Sequence, residues 1–275
     1  MQEISGLIIK EVRVANDSKI VTVLTAEFGK LQFWAQGSCN YRSKSFSGTR
    51  IMCYSRLMVE TRNGQLNYLT SSDCIKNFKN VESDITKMSL GCWFLQIIDI
   101  LIKDNVNTSK ILRLVLNCLH YLDVCGSDND NFELLIARLV FELRLLSYLG
   151  VSPNFSSCVQ CGTTKFLRSI SVKLGGMLCI NCDTNSESTP NSILSLLKYI
   201  VLCEEKKIFA FKTSKKTIEI ASGIVEKFLF IYLDIVPKSY KFMKEQLREI
   251  LQNVDKDKYK YKDKDKNNDE NKVLA

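Results

Sequence analysis

The chain holds a single histidine, His120, placed between Leu119 and Tyr121 and three residues before Asp123. No nucleophile with an activating base and a third orienting group is visible around it, which argues against covalent catalysis. Glycine-rich phosphate loops are missing too. Gly29-Lys30 is not followed by serine or threonine, and no glycine lies five positions before Gly29, so no P-loop forms there. No GxGxxG follows a strand, and the carboxylates are scattered without a recognisable acid/base pair. Long apolar runs are also absent. The two longest, Leu90–Ile102 and Ile224–Val236, contain Asp99 in one case and Glu226, Lys227 and Asp234 in the other. Both are too short and too charged to span a bilayer. Met1-Gln2-Glu3-Ile4 has no basic region followed by an apolar run, so no signal peptide is expected. These absences predict a cytoplasmic protein with no membrane association and no enzymatic chemistry.

Cysteine, by contrast, is plentiful: 11 in 275 residues. Four of them form two hooks, Cys158-Val159-Gln160-Cys161 and Cys179-Ile180-Asn181-Cys182, with 17 residues between. Each hook aims two sulfurs at one point, and two hooks complete the tetrahedron that zinc accepts without strain. Gly162 and Gly175-Gly176 sit where side chains would crowd the metal. Four thiolates leave no open coordination position, so the expected role is structural. Cys39, Cys53, Cys74, Cys92, Cys118, Cys125 and Cys203 mostly lie in apolar contexts and are expected to act as small core residues in a reducing compartment.

The formal net charge is +8, unevenly spread. Residues 1–80 hold 11 Lys/Arg against 6 Asp/Glu, and residues 158–182 hold Lys165, Arg168 and Lys173 with no acid. A polyanionic partner on those two surfaces is the expectation. Residues 255–272 alternate Lys and Asp, 7 Lys against 6 acids, with almost no aliphatics. Such a segment cannot bury enough apolar area to offset its chain entropy, so residues 254–275 are expected to be a disordered tail.

The first 80 residues carry five β-rich runs: Ile4–Val14, Lys19–Ala26, Lys30–Gly37, Arg50–Thr61 and Gln65–Ser71. Turn signals separate them, Asn16-Asp17-Ser18 and Asn63-Gly64 among them. Five short strands in that length predict an OB-type barrel. Alternation in the third run puts Leu31, Phe33 and Ala35 inside and leaves Trp34 outside among glutamines. An exposed indole is a platform for stacking unpaired bases or for packing on a neighbouring domain. Lys30, Arg42, Lys44 and Arg50 lie on or beside a polar segment that is expected to be mobile and to track a phosphate backbone.

From Ser83 onward the apolar period becomes helical. Ser83 is expected to cap a helix to Ile102 or Lys103, and Asn107 or Thr108 a second that Gly126 ends. Asp128–Asn131 opens a third that runs to Leu149, with its apolar stripe at three- and four-residue steps. Asn191–Cys203 and Ser214–Val236 follow, and Ser239 caps a last helix, Tyr240–Gln252. The expected class is α+β. A barrel over residues 1–80 precedes an all-α domain over 81–253, with a zinc-finger insert at about 154–186.

The order Phe141-Glu142-Leu143-Arg144-Leu145-Leu146, Leu149-Gly150, Pro153, Cys158-Val159-Gln160-Cys161-Gly162, Gly175-Gly176, Cys179-x-x-Cys182 resembles the bacterial recombination mediator family RecO. Gly6-Leu7-Ile8-Ile9-Lys10, Ile20–Glu27 and Gly29-Lys30 extend the resemblance over residues 4 to 250. It implies an N-terminal OB fold, a helical domain with a zinc finger, and a non-enzymatic part in recombinational repair. It further implies binding of single- and double-stranded DNA and annealing of complementary strands. With RecR, such proteins help RecA load onto strands coated by the single-strand binding protein. Arg42 and Lys44 match the family's basic motif after the third strand, whereas Gln36, Cys39 and Asn40 stand at its other basic positions. That departure shifts weight toward the insert. Two other readings of the same residues are a protein-interaction scaffold that docks acidic tails, and an RNA-binding barrel with a zinc module.

Overall fold

The computed structural model describes residues 1–60, 67–104, 106–126, 132–183, 188–233 and 236–248. The N-terminal runs form β1 (Gln2–Arg13), β2 (Lys19–Thr25), β3 (Lys30–Ala35), β4 (Tyr54–Glu60) and β5 (Asn67–Lys76). They close into a barrel in the order β1-β2-β3-β5-β4. Every pairing is antiparallel except that of β3 with β5. This is the five-stranded Greek-key arrangement of an OB fold. Asn16 and Asp17 turn the first hairpin with φ of 58° and 51°, the left-handed region that two-residue hairpin loops need. The Asn63-Gly64 turn expected between the last two strands lies outside the described residues.

Leu7-Ile8-Ile9 breaks the strand's alternation, and the structure shows why. The register of β1 against β2 shifts between Ile8 and Lys10, a bulge that lets three successive apolar residues bury. Ile8 points into the barrel with Val21, Val23, Phe33 and Leu57. Leu7 and Ile9 join Leu24 and Met52 in the core of the helical domain. Barrel and helices therefore share buried surface.

The helices are α1 (Lys79–Ser83), α2 (Ile85–Leu101), α3 (Ser109–Val124), α4 (Phe132–Tyr148), α5 (Asn191–Leu202) and α6 (Lys215–Tyr232), followed by helical residues 238–248. Their termini correct two sequence expectations, for Ser83 and Ser239, and bear out a third, for α3. Asp84, not Ser83, caps α2, its carboxylate accepting from the backbone N–H of Thr86 and Lys87, while Ser83 ends α1. Thr108 occupies the cap position of α3, as expected; its hydroxyl donates to the Thr25 carbonyl, tying the helix to β2, and the Asn107 side chain accepts from the Ser109 N–H at 3.1 Å. Ser239 lies inside the last helical stretch, and its hydroxyl donates to Gln96 on α2. Ser214 does cap α6, accepting from the Thr217 N–H. Residues 128–131, expected to open α4, and the tail at 254–275 lie outside the described residues.

The expected apolar stripe on α4 is a full cylinder: every residue from Leu134 to Leu146 is buried. A helix enclosed all round must partner its charges internally. Arg138 donates to Glu142 and Glu226, Trp93 Nε1 donates to Glu142 Oε1 at 2.8 Å, and Lys244 pairs with Glu226 at 2.8 Å. Arg144 donates to the carbonyls of Val201 and Cys203, acceptors at the end of α5 that have no partner within the helix. Among the described residues no helix is long and apolar enough to cross a membrane.

Candidate nucleic-acid interface and metal centre

Residues directly opposite across neighbouring strands share a face, so register maps the outer wall of the barrel. Val12 faces Ile20, Ile20 faces Trp34, and Trp34 faces Tyr68 across the parallel seam. Phe33 and Ala35 are buried inside, which leaves Trp34 half-buried on the outside between an aliphatic and an aromatic neighbour. The expected lone indole is thus one member of a four-strand row. Tyr68 was not picked out because its pairing with Trp34 exists only once the barrel closes.

The polar segment Gly37–Thr49, expected to be mobile, is spanned by successive hydrogen-bonded turns. Gly37 takes φ of 61°, Cys39 N donates to Asp17 O at 2.8 Å, and Arg42 N donates to Asn40 Oδ1 at 3.0 Å. Phe46 N donates to Ser43 O at 3.0 Å, and a 3-10 turn, Ser47–Thr49, closes the run. Ser55 Oγ donates to Gly48 O at 2.7 Å and Ser72 Oγ to Ser45 O at 3.3 Å, so β4 and β5 anchor its end.

This frame separates the candidate cations into two groups. Arg42 and Lys44 are exposed. The Arg42 guanidinium lies over the Tyr41 ring, 5.4 Å from its centroid, and its Nε donates to the Tyr41 hydroxyl at 3.0 Å. Tyr41 is 72 % exposed, a second aromatic at the edge of the basic segment that its neighbour Arg42 could have signalled. Lys30, in contrast, donates to the Asp99 carbonyl at 2.6 Å and pairs with its carboxylate at 3.5 Å. It joins barrel to α2. Arg50 is half-exposed and donates to Glu82 at 2.9 Å.

The insert between α4 and α5 is built on a hairpin, β6 (Leu167–Ser171) with β7 (Gly176–Cys179). The first hook precedes it and the second follows, and one sulfur from each of Cys158, Cys161, Cys179 and Cys182 falls within 4.8 Å of the others. Cys161 and Cys179 sulfurs stand 3.6 Å apart, close to the edge of about 3.8 Å that follows from zinc–sulfur bonds of about 2.3 Å in a tetrahedron. Gly162 N donates to Cys158 O at 2.8 Å with φ of 75°, and Asp183 N donates to Cys179 O at 3.0 Å. Asn154 clamps the two halves: its N–H donates to Gly175 O, its carbonyl accepts from Met177 N, and its side chain accepts from Ser156 N and Ser157 N. Gly176 is required there, since a Cβ would lie 2.5 Å from the Asn154 carbonyl oxygen. Burial raises the Cys158 thiol, but the backbone N–H groups of Cys161, Cys179 and Gln160 outweigh it and bring the group down to about 6. Hydrogen bonding with Cys179 and Cys161 pushes Cys182 up to about 12. Metal binding would displace thiol protons, and a donor set of four clustered sulfurs fits a metal ion. On the outside of the finger, Lys165 and Lys173 are exposed and Arg168 is half-buried.

Two family models match the chain: recombination protein O N terminal over residues 1–78, and recombination protein O C terminal over residues 82–241. The chain belongs to the recombination protein O (RecO) family. Curated relatives named DNA repair protein RecO span nearly its whole length. The protein of Acetivibrio thermocellus is 29 % identical over 255 residues, covering 91 % of this chain and 94 % of its own. That of Halalkalibacterium halodurans is 24 % identical, with 87 % and 93 % covered. That of Caldicellulosiruptor saccharolyticus is 24 % identical, with 87 % and 96 % covered. The match to the C-terminal RecO model spans the finger, so both the barrel face and the four-cysteine cluster lie within the RecO-like part of the chain. RecO membership places the protein among DNA repair proteins and accounts for the order of blocks read from the sequence.

Proposed function

We propose that this RecO-family chain is a non-enzymatic mediator that binds single- and double-stranded DNA and anneals complementary strands. With RecR it would help load RecA onto strands coated by the single-strand binding protein. The observation that carries the reading is the outer barrel row Ile20–Trp34–Tyr68 on the same domain as the Tyr41–Arg42 pair and Lys44. Rings offer sequence-tolerant stacking, and free cations neutralise phosphates. Lys165, Arg168 and Lys173 on the finger supply a second basic surface. Lys30 and Arg50 contribute mainly through Asp99 and Glu82, by holding the frame. We assign zinc to Cys158, Cys161, Cys179 and Cys182 as a structural ion that fixes the hairpin carrying those charges.

Salt titration of single-strand affinity tests the barrel part. Arg42→Ala combined with Lys44→Ala should flatten the log–log salt slope by about 1.4, at about 0.7 per lost phosphate contact. Trp34→Ala should cost about 1–3 kcal/mol if one base stacks there. An unchanged slope and affinity in both variants would remove this face from the interface.

The scaffold reading draws on a cleft beside α3, where Tyr121 stacks on Phe209 with centroids 4.1 Å apart, Lys206 stands at the rim, and Arg113 is paired with Glu205 at 2.8 Å. An apolar floor suits the apolar side chains of an amphipathic tail such as that of the single-strand binding protein, with Lys206 the cation left to meet its acidic groups. Retention of tail binding in the Arg42/Lys44 variant, with annealing lost, would divide the two tasks between barrel and helices.

A further inference from the structure

Cys53 and Cys74 stand apart from the metal centre. They lie in the barrel wall, with Cys53 just before β4 and Cys74 on β5 opposite Ser55. Their sulfurs are 2.6 Å apart, well inside the contact distance of two sulfur atoms. Among the described residues, no other pair of sulfurs outside the finger comes within hydrogen-bonding reach. The two differ sharply in environment. Cys53 is 1 % exposed and sits in the barrel core, whereas Cys74 is exposed to solvent. Cys92 and Cys118, by comparison, have no nearby thiol, and burial holds both above their usual range.

We propose that Cys74 and Cys53 form a hydroperoxide-responsive dithiol site that closes to a reversible disulfide. Cys74, reachable from solvent, is the sulfur that meets the oxidant; Cys53, held beside it, resolves the product. The Cys74 thiolate attacks a peroxide oxygen, the O–O bond breaks, and a sulfenic acid forms with release of water or an alcohol. The Cys53 sulfur then attacks the Cys74 sulfur. The S–S bond forms as the S–O bond breaks, and the departing hydroxide takes the Cys53 proton to leave as water. Two thiols lose two protons and two electrons, and the peroxide is reduced by two electrons. A small dithiol reverses the change by exchange through a mixed disulfide. Burial, and then the hydrogen bond shared with Cys74, push the Cys53 thiol up to about 12, so it stays protonated at neutral pH. The bond would close next to Ser55, which holds the Gly48 carbonyl at the end of the basic segment.

The test uses the full-length, metal-loaded protein. It is exposed to a small excess of hydrogen peroxide, its remaining thiols are blocked with N-ethylmaleimide, and its peptides are mapped by mass spectrometry with and without prior reduction. The expected product is a cross-linked pair containing Cys53 and Cys74, lost on dithiothreitol treatment, with Cys92 and Cys118 unmodified. Cys53→Ser should abolish the cross-link and leave Cys74 trappable as a sulfenic acid by a cyclic diketone. Cys74→Ser should leave Cys53 a free thiol at the same peroxide dose, and this surface variant keeps the comparison open if Cys53→Ser folds poorly. Cys74 recovered as sulfinic acid beside an alkylatable Cys53, or bonded to any other cysteine, would overturn the proposal.

Discussion

Removing the Glu142 side chain would strand one arm of the Arg138 guanidinium inside a closed helix. Glu142 Oε1 accepts from Arg138 Nε at 2.9 Å and from Trp93 Nε1 at 2.8 Å, while its second oxygen is buried without a partner among the described residues. Burial holds the Glu142 carboxyl above its usual range even beside Arg138. Glu142→Ala is expected to cost about 1–3 kcal/mol, because it leaves the Trp93 and Arg138 Nε donors buried without their acceptor while Glu226 still pairs the guanidinium; urea denaturation would measure it. Glu226 behaves in the opposite way. Burial raises its carboxyl, but Arg138, Lys244 and Tyr240 outweigh burial and leave it below the usual value. A carboxyl lowered in the folded state contributes stability that is full above its unfolded value and is lost as pH falls through its folded value. Glu226→Gln should therefore weaken the protein at neutral pH and flatten the acid limb of its stability profile, read as Tm against pH. Apolar period alone showed none of this. In the sequence Arg138, Glu142 and Arg144 look like the polar side of a striped helix, and only the surrounding helices turn that side inward.

The finger shows the reverse balance between sequence and structure. Hook spacing announced the four sulfurs, since a tight turn between two cysteines fixes its geometry locally. The Asn154 clamp was silent, because an asparagine near a proline gives no hint that its backbone will pair with a hairpin more than a dozen residues away. Metal removal is expected to act at this scale. Chelation, or Cys179→Ser, should release the segment between α4 and α5 to proteolysis while the helical circular dichroism of the remainder persists, because α2, α3, α4 and α6 share a core of their own. The local loss is large, about 10–16 kcal/mol of binding energy in isolated zinc modules, and global Tm should fall far less than that figure suggests. Element identity was legible for the five barrel strands and for α2 to α6, whereas the short α1 was not read. Helix starts were less so: Asp84 competed with Ser83, and Thr108 gave its hydroxyl to β2. Caps depend on where the preceding strand delivers the chain.

Across the whole molecule, Asp99 is one polar joint between the two halves, beside Thr108–Thr25 and Arg50–Glu82. It takes Lys10 at 2.9 Å from β1 and Lys30 from β3, and it lies on α2. Lys30 is 69 residues from Asp99 in the chain, so no local pattern could have revealed that its charge is occupied. Asp99→Ala should cost about 1 kcal/mol, since the Lys10 pair is largely exposed and Lys30 keeps the backbone carbonyl. The effect should appear as faster hydrogen exchange at β1 and β3, with the finger unaffected.

The bulge in β1 has a practical consequence for dissecting this protein. A piece ending at residue 80 would expose the faces of Leu7, Ile9, Leu24 and Met52 that the helices now cover. Such a piece would be sticky, and its affinity for any polymer would say little about the intact chain. For the same reason, grafting a foreign barrel onto these helices would demand matched changes on α2, where a Cβ on Gly91 would come within 2.8 Å of the Met52 side chain. The two halves are inherited as a fitted pair.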